Sequence, residues 1–170
     1  MTMLFPEADV TEGLKTAMRF FASGVTVITA GQGDARRGLT ATAFSSVSMD
    51  PPTVLVCVNR TGEAHETIEA AGHFCVNILC EDARDLAESF AGMTDKTGAA
   101  QFDGFEWVNT DIGAPAYAFA QASVGCRLEQ AVVAGSHSIF IGEVTEVAVN
   151  PDRKPLLYFN RGFNRLGALS

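Results

Sequence analysis

Gly38-Leu39-Thr40-Ala41-Thr42-Ala43-Phe44-Ser45-Ser46-Val47-Ser48-Met49-Asp50-Pro51-Pro52 carries more structural information than any other part of this chain. It opens on a glycine and closes on a Pro-Pro pair that cannot continue a hydrogen-bonded ladder. Between them, β-branched, aromatic and small residues predict one strand over Leu39–Met49. Side chains of a strand alternate faces. One face then carries Thr40, Thr42, Phe44, Ser46 and Ser48, and the other Leu39, Ala41, Ala43, Ser45, Val47 and Met49. The hydroxyl face has two readings. It is the water-facing side of a half-buried strand, or it is a wall for a polar, planar ligand. In the second case small residues let the backbone approach a ring, and hydroxyls and backbone N–H groups bond its edges.

Upstream, Leu14, Met18 and Phe21 form an apolar stripe in a helix predicted over Asp9–Ala22, with Asp9 and Glu12 placed as in a capping box. A strand over Val25–Ala30 and a turn-rich loop over Gly31–Gly38 follow. Downstream, Val54–Val58 and Phe74–Leu79 read as strands. Glu63–Ala71 reads as a helix closed by Gly72, and Asp82–Ala91 as a helix with Asp82 as N-cap and Gly92 after it. Met93–Ala114 mixes charge, glycine and aromatics and reads as an irregular loop. Ser123–Gln130 and Ser138–Val149 are strands with a hairpin near Gly135, and Leu156–Phe159 is a last short strand. Six or seven strands and about three helices, without β-α-β alternation, predict a mainly β domain. A barrel or sandwich with helical additions fits, and a doubly wound sheet does not.

The 170 residues are a typical size for one domain, 1–170. A net charge of −8 repels phosphate backbones, so nucleic acid and anionic membranes are poor partners. A small anion stays open if a local site gathers N–H groups, Arg and Lys. The 47% hydrophobic content and mean hydropathy of +0.15 are accounted for by a buried subunit interface or by a large core. Cys57, Cys75, Cys80 and Cys126 form no C-x-x-C pair, and three of them sit in apolar strand-like runs. They read as thiols of a reducing cytoplasm and not as zinc ligands. Met1–Val10 lacks the features of a signal peptide, and no apolar run approaches a spanning length, so a cytoplasmic protein is expected.

Gly31-Gln32-Gly33 follows a strand but lacks a third glycine at the required position, and a strand follows where a dinucleotide fingerprint needs a helix. No G-x-S-x-G is present. In Cys57-Val58-Asn59-Arg60-Thr61-Gly62 a strand runs into a helix. Thr61 is either an ordinary cap or part of an anion site at the helix N-terminus, with Arg60 adding charge. His137 lies between two strands in Gly135-Ser136-His137, where an exposed turn histidine is common. His65 and His73 read as surface residues, and the three histidines lack metal-ligand spacing, so no metal is expected. Phe159-Asn160-Arg161-Gly162-Phe163-Asn164-Arg165 repeats an aromatic–Asn–Arg unit. It is either a packed terminal strand or a clamp for an anionic planar ligand.

Taken together, Gly24–Thr29, Gly38–Pro52, Cys57–Asn59, Cys75–Leu79, Phe90–Gly92, Gly135–His137 and Pro155–Phe159 resemble, in order and spacing, the short-chain flavin reductase family. That family includes the reductase components of two-component flavin monooxygenases such as 4-hydroxyphenylacetate 3-monooxygenase, and the resemblance runs from about Thr16 to Leu166. It implies a Greek-key split β-barrel of the FMN-binding type that forms a homodimer. It also implies FMN or FAD near the dimer interface, NADH or NADPH as co-substrate, and a partner oxygenase reached through diffusible reduced flavin. By position, Thr40, Ala41, Thr42, Ala43, Ser46, Val47 and Cys57 line the flavin, and Asn59 contacts its ring or ribityl region. Thr61, Phe90, Ala91, Gly92 and Lys96 lie near phosphate, His137 stands by the nicotinamide as the catalytic candidate, and Tyr158, Arg161 and Phe163 close the site. Many members carry Asp where this chain has Ser136, which bears on nicotinamide preference. The implied function is an NAD(P)H-dependent flavin reductase. A reductase that retains its flavin and reduces a corrin or iron chelate, and a non-catalytic flavin-binding protein, share the same fold. Hydride transfer to flavin needs stacking space and polar ring contacts and no protein nucleophile, and the composition of Gly38–Pro52 suits that.

Overall fold

A computed structural model describes residues 9–167. Helix α1 (Val10–Arg19) starts where the Asp9 carboxylate accepts the Thr11 N–H at 2.8 Å, and none of its residues is buried. Ser23–Gly24 (β1) and Thr26–Ala30 (β2) follow, β2 buried along its whole length. Then come β3 (Arg37–Ala41), β4 (Phe44–Met49), β5 (Pro52–Asn59), α2 (Glu63–Ala71), β6 (His73–Ile78) and α3 (Arg84–Phe90). Trp107–Asn109 (β7) and Pro115–Tyr117 (β8) pair as a small flap. A long hairpin, β9 (Ala122–Ala134) and β10 (His137–Val149), leads into β11 (Leu156–Phe159) and β12 (Gly162–Arg165). The described residues are mainly β, with three α-helices.

All strand pairs are antiparallel. Seven strands form one sheet in the order β3-β2-β6-β9-β10-β5-β4, and β1, β11 and β12 form a second. Strands β3 and β4 are consecutive in the chain yet stand at opposite edges of the large sheet. A flat sheet of seven strands is about 29 Å from first to last strand. The chain from Ala41 to Phe44 reaches at most about 11 Å. The sheet therefore curls until its edges approach. They form no ladder with each other, and the hydrogen-bonded sheet is not closed.

Inside the curl lie Ile28, Val54, Val56, Val58, Ile68, Phe74, Val76 and Phe140. The backbone at Gly142 rests on the Phe74 ring, where an added Cβ would come within 2.7 Å of it. Val27, Leu79, Leu86, Phe90, Phe102 and Leu156 form a second core under α3. Asn77 is buried between the layers with both ends satisfied. Its Oδ1 accepts the Tyr117 N–H at 2.7 Å and the Ser123 hydroxyl at 3.0 Å, and its Nδ2 donates to the Val27 carbonyl at 3.1 Å. That network fastens the β7–β8 flap to the sheet.

Several sequence expectations change. The single strand over Leu39–Met49 is two strands, because Thr42 and Ala43 carry the chain from one sheet edge to the other. Leu39, Ala41 and Phe44 all pack on the first core. An unbroken alternation would send Ala41 and Phe44 to opposite faces, so the phase inverts at the link. Helix α1 ends at Arg19, short of Ala22. Ala83 and not Asp82 occupies the N-cap of α3, and the Asp82 carboxylate pairs with Arg153 at 3.1 Å. Met93–Ala114 holds a short 3-10 turn over Gly98–Phe102 and β7. Among the described residues no helix is long and apolar enough to cross a membrane.

All four cysteines are free. Burial pushes the Cys126 thiol up to about 12, and burial together with the neighbouring Cys126 raises Cys75 further above its ordinary value. Both stay neutral in the fold while an unfolded thiol ionises near pH 9, so deprotonation favours the unfolded chain as pH rises. Melting temperature should hold steady below pH 9 and fall progressively toward pH 12. In a Cys75→Ala/Cys126→Ala variant the same scan should be flatter. An equal slope in both proteins would place the alkaline loss elsewhere.

Candidate functional site

Two clefts flank β3. The first, of about 450 Å3, is lined by Gly38 and Leu39 on β3, by Asn59, Thr61 and Gly62 where β5 runs into α2, and by Gly92, Lys96 and Gly98 from the segment after α3. The second, of about 490 Å3, lies between α1, the β3–β4 link and the β11–β12 hairpin. Leu14, Met18, Phe21 and Tyr158 form its apolar lining, Thr42 sits at the link, and Lys15, Arg19 and Arg161 supply cations. From Gly38 to Thr42 the chain covers about 13 Å at ~3.3 Å per residue. The two clefts thus stand at the two ends of one strand.

Local hydrogen bonds shape the first cleft. The Asn59 Oδ1 accepts both the N–H and the hydroxyl of Thr61 at 3.0 Å, which turns the chain into α2. Gly62 is the N-cap of α2 and has no side chain to offer, so the first turn presents backbone N–H groups to the cleft. The Lys96 ammonium donates to the Asp103 carbonyl at 2.6 Å and lies 5.7 Å from the Phe105 ring centre. Across the cleft, Arg37 pairs with Glu63. Gly38 lies against Phe90, where a Cβ would come within 2.7 Å of the ring.

In the second cleft the β11–β12 turn is tight, with Asn160 at φ 48° and Arg161 at φ 64°. Positive φ at both central residues is the hairpin geometry that matches strand twist, and Arg161 adopts it without the usual glycine. The Asn160 N–H donates to the Arg19 carbonyl at 2.7 Å, tying the turn to α1. The Arg19 Nε is buried and finds no acceptor among the described residues.

The structure brings Asn59, Thr61, Gly92 and Lys96 together in one cleft and Thr42, Tyr158 and Arg161 in the other. It does not build a single hydroxyl wall. The Thr40 hydroxyl donates to the Ala87 carbonyl on α3 at 2.7 Å, and the Ser45 and Ser48 hydroxyls donate to nearby backbone carbonyls. Ser46 pairs with Val54, and Val47 is the exposed bulge residue after it. Ala41 packs on the first core and its carbonyl accepts the Thr26 hydroxyl. The Ala43 carbonyl accepts the N–H of half-buried Cys57 at 3.1 Å. Neither Thr42 nor Ala43 enters a strand ladder. Phe90 is buried in the second core against Phe102, with Ala91 exposed behind it, so the ring supports Gly38 from beneath. Phe163 packs on Tyr158 at 5.5 Å between ring centres.

His137 is paired with Asn59 in the β10–β5 register, so the two side chains share a face of the sheet. Its Nδ1 lies 2.9 Å from the Ser136 hydroxyl. His65, expected at the surface, is buried, with its Nε2 2.8 Å from the Ser138 hydroxyl. Arg37, Glu63 and Arg19 were not singled out from sequence. The adjacent Arg36-Arg37 pair in an acidic chain was the available signal.

Cations thus gather in two clefts of an acidic chain, with hydroxyls and helix N–H groups in one of them. The flavin reductase like domain family matches residues 18–167. The reductase component of FADH(2)-dependent resorcinol hydroxylase from Rhizobium sp. (strain MTP-10005) is 40% identical over 159 residues, covering 92% of this chain and 87% of the relative. The 4-hydroxyphenylacetate 3-monooxygenase reductase component of Thermus thermophilus is 39% identical, covering 91% and 96%. Among solved structures, the NADH:FAD oxidoreductase SgcE6 of Streptomyces globisporus C-1027 superposes with a TM-score of 0.87 at 34% identity over 99% of each chain, and it is also known in complex with NAD and FAD fragments. The chain belongs to the flavin reductase-like family.

Left-handed backbone at a non-glycine residue costs on the order of 1 kcal/mol. Arg161→Gly should therefore match or exceed the wild type in thermal stability, by up to about 1 kcal/mol, although it deletes a cation from the second cleft. A lower melting temperature would mean that the arginine side chain itself holds the hairpin.

Proposed function

We propose that this chain is an NAD(P)H:flavin oxidoreductase that reduces FMN or FAD and releases the product to a partner monooxygenase. The observation that carries the proposal is the pair of clefts at the two ends of β3, one with Arg37, Thr61 and Lys96 and the other with Thr42, Tyr158 and Arg161. An elongated molecule with a planar ring at one end and a phosphate at the other suits that spacing. The donor set of the first cleft fits phosphate: a guanidinium, an ammonium, a hydroxyl and helix N–H groups. When bound, flavin supplies the electron chemistry, taking a hydride from the nicotinamide.

The chain's own residues bind and align. Asn59 and Thr61 hold the ribityl–phosphate end. The N–H groups of Thr42 and Ala43, outside any ladder, bond the ring edge, with Ser46, Val47 and Cys57 near it. Tyr158, Arg161 and Phe163 close the second cleft. His137, with its imidazole turned by Ser136, holds the nicotinamide.

The finer assembly belongs to the same proposal. The curled sheet is one split-barrel domain spanning 1–170, and two copies form a homodimer. Support for the dimer comes from exposed apolar side chains on α1, just after it and on the β9–β10 arm, with Leu14 60%, Met18 55%, Phe21 63% and Val133 62% exposed. A monomer rarely leaves such a set to water. The free thiols fit a reducing compartment, the cytoplasm.

Anaerobic mixing with NADH or NADPH should bleach added FMN or FAD, and nicotinamide oxidation should require flavin. His137→Ala should lower kcat/KM for the nicotinamide by about 2- to 150-fold and spare flavin affinity, the range expected for one lost neutral or charged hydrogen bond. Nicotinamide oxidation at full rate with flavin stripped away would refute the reaction. Weakened flavin binding with unchanged reduction would move His137 to the flavin side.

Light scattering should give about twice the 18.0 kDa chain mass. A Leu14→Glu/Met18→Glu variant should shift that mass toward one chain at micromolar concentration. A monomeric wild type would remove the dimer.

A further inference from the structure

The Arg37–Glu63 pair spans the first cleft and presents a conflict of charge. Arg37 is held from behind, its Nη1 donating to the carbonyls of Asp34 and Arg36 at 2.8 Å each, and its Nε donates to the Glu63 carboxylate. Glu63 is the first residue of α2 after the Gly62 cap. The carboxylate thus occupies the guanidinium that a phosphate in this cleft would use, and its negative charge sits in the first turn of α2 beside the helix N–H groups. Lys96 is different. Its ammonium is directed by the Asp103 carbonyl, and among the described residues it has no carboxylate partner.

Resting on the assignment of the flavin phosphate to this cleft, we infer that Glu63 sets how weakly flavin is held, by competing with the phosphate for Arg37. The asymmetry of burial supports a swap. The Arg37 side chain is 27% exposed and pinned to the wall, whereas the Glu63 side chain is 69% exposed and free to turn to water. An exposed ion pair is cheap to break, so the carboxylate weakens phosphate binding without blocking it. A reductase that hands its product to another enzyme needs this property, and a protein that keeps its flavin does not.

Titration of FMN and of riboflavin, which lacks the phosphate, into wild type, Glu63→Gln, Arg37→Gln and the double variant tests the inference. Glu63→Gln should tighten FMN about 2- to 5-fold and slow its release by a similar factor. Riboflavin affinity should not change. In the Arg37→Gln background FMN should bind more weakly, and adding Glu63→Gln should have no effect. Unchanged FMN affinity in Glu63→Gln, equal tightening of riboflavin, or tightening that persists without Arg37 would each overturn the role of Glu63. Wild type binding FMN and riboflavin alike would instead overturn the phosphate assignment beneath it.

Discussion

Two residues join the outermost strands of a seven-stranded sheet, and that covalent shortness governs the rest of the molecule. Thr42 and Ala43 force the sheet to curl, because their span is about a third of the flat sheet's width. The curl creates an inside, which Ile28, Val56, Phe74 and Phe140 fill, and it leaves a seam. At that seam the backbone is excused from ladder bonding. Peptide groups elsewhere in the sheet are committed to neighbouring strands; here the Thr42 carbonyl takes the Phe44 N–H and the Ala43 carbonyl the Cys57 N–H, and the N–H groups of Thr42 and Ala43 stay outside the ladders. One cleft opens at the seam, where α1 and the β11–β12 hairpin cover it, and the other opens at the far end of β3, between α2 and the segment after α3.

Charge operates on two scales. The net charge of −8 keeps polyanions away from the surface as a whole, while Lys15, Arg19 and Arg161 in one cleft and Arg37 and Lys96 in the other reverse the sign locally. An anion small enough to enter a cleft meets cations at short range, where screening is weak, and a long nucleic acid meets the acidic exterior. No nucleophile–base pair is needed for hydride transfer, and small residues and backbone groups around Thr42 suit a site whose task is alignment.

The helices and most strands were legible because their signals are local: the Asp9 cap, the Gly72 stop and the β-branched run of β2. The break at Thr42–Ala43 was not. Thr-Ala-Thr-Ala-Phe-Ser-Ser continues a plausible alternation through the link, and only partners distant in sequence, Thr26 for Ala41 and Val56 for Phe44, reveal that the strands part there. The same long-range pairing turned the hydroxyl of Thr40 toward α3 and Phe44 into the core. Asn59, Thr61, Gly92 and Lys96 meet in space because two segments, the β5–α2 junction and the stretch after α3, converge beside β3, and their individual motifs were weak. The sharp turn at Asn160–Arg161 has no glycine at its two central positions, so Phe159–Arg165 read as a terminal strand or a clamp and not as a hairpin turning into β12.

The smaller sheet also fixes the order in which the molecule can be completed. Ser23 pairs with Tyr158 and Gly24 with Leu157, so β1 leaves the ribosome long before its partner exists. Strands β2 and β3 can zip as a local hairpin, but the second cleft has no far wall until Tyr158 and Arg161 have been synthesised. A nascent chain therefore carries the apolar stripe of α1 unsheltered through most of translation. The second cleft is therefore completed late, and a chain interrupted before β11 would present a curled sheet whose second cleft lacks its far wall.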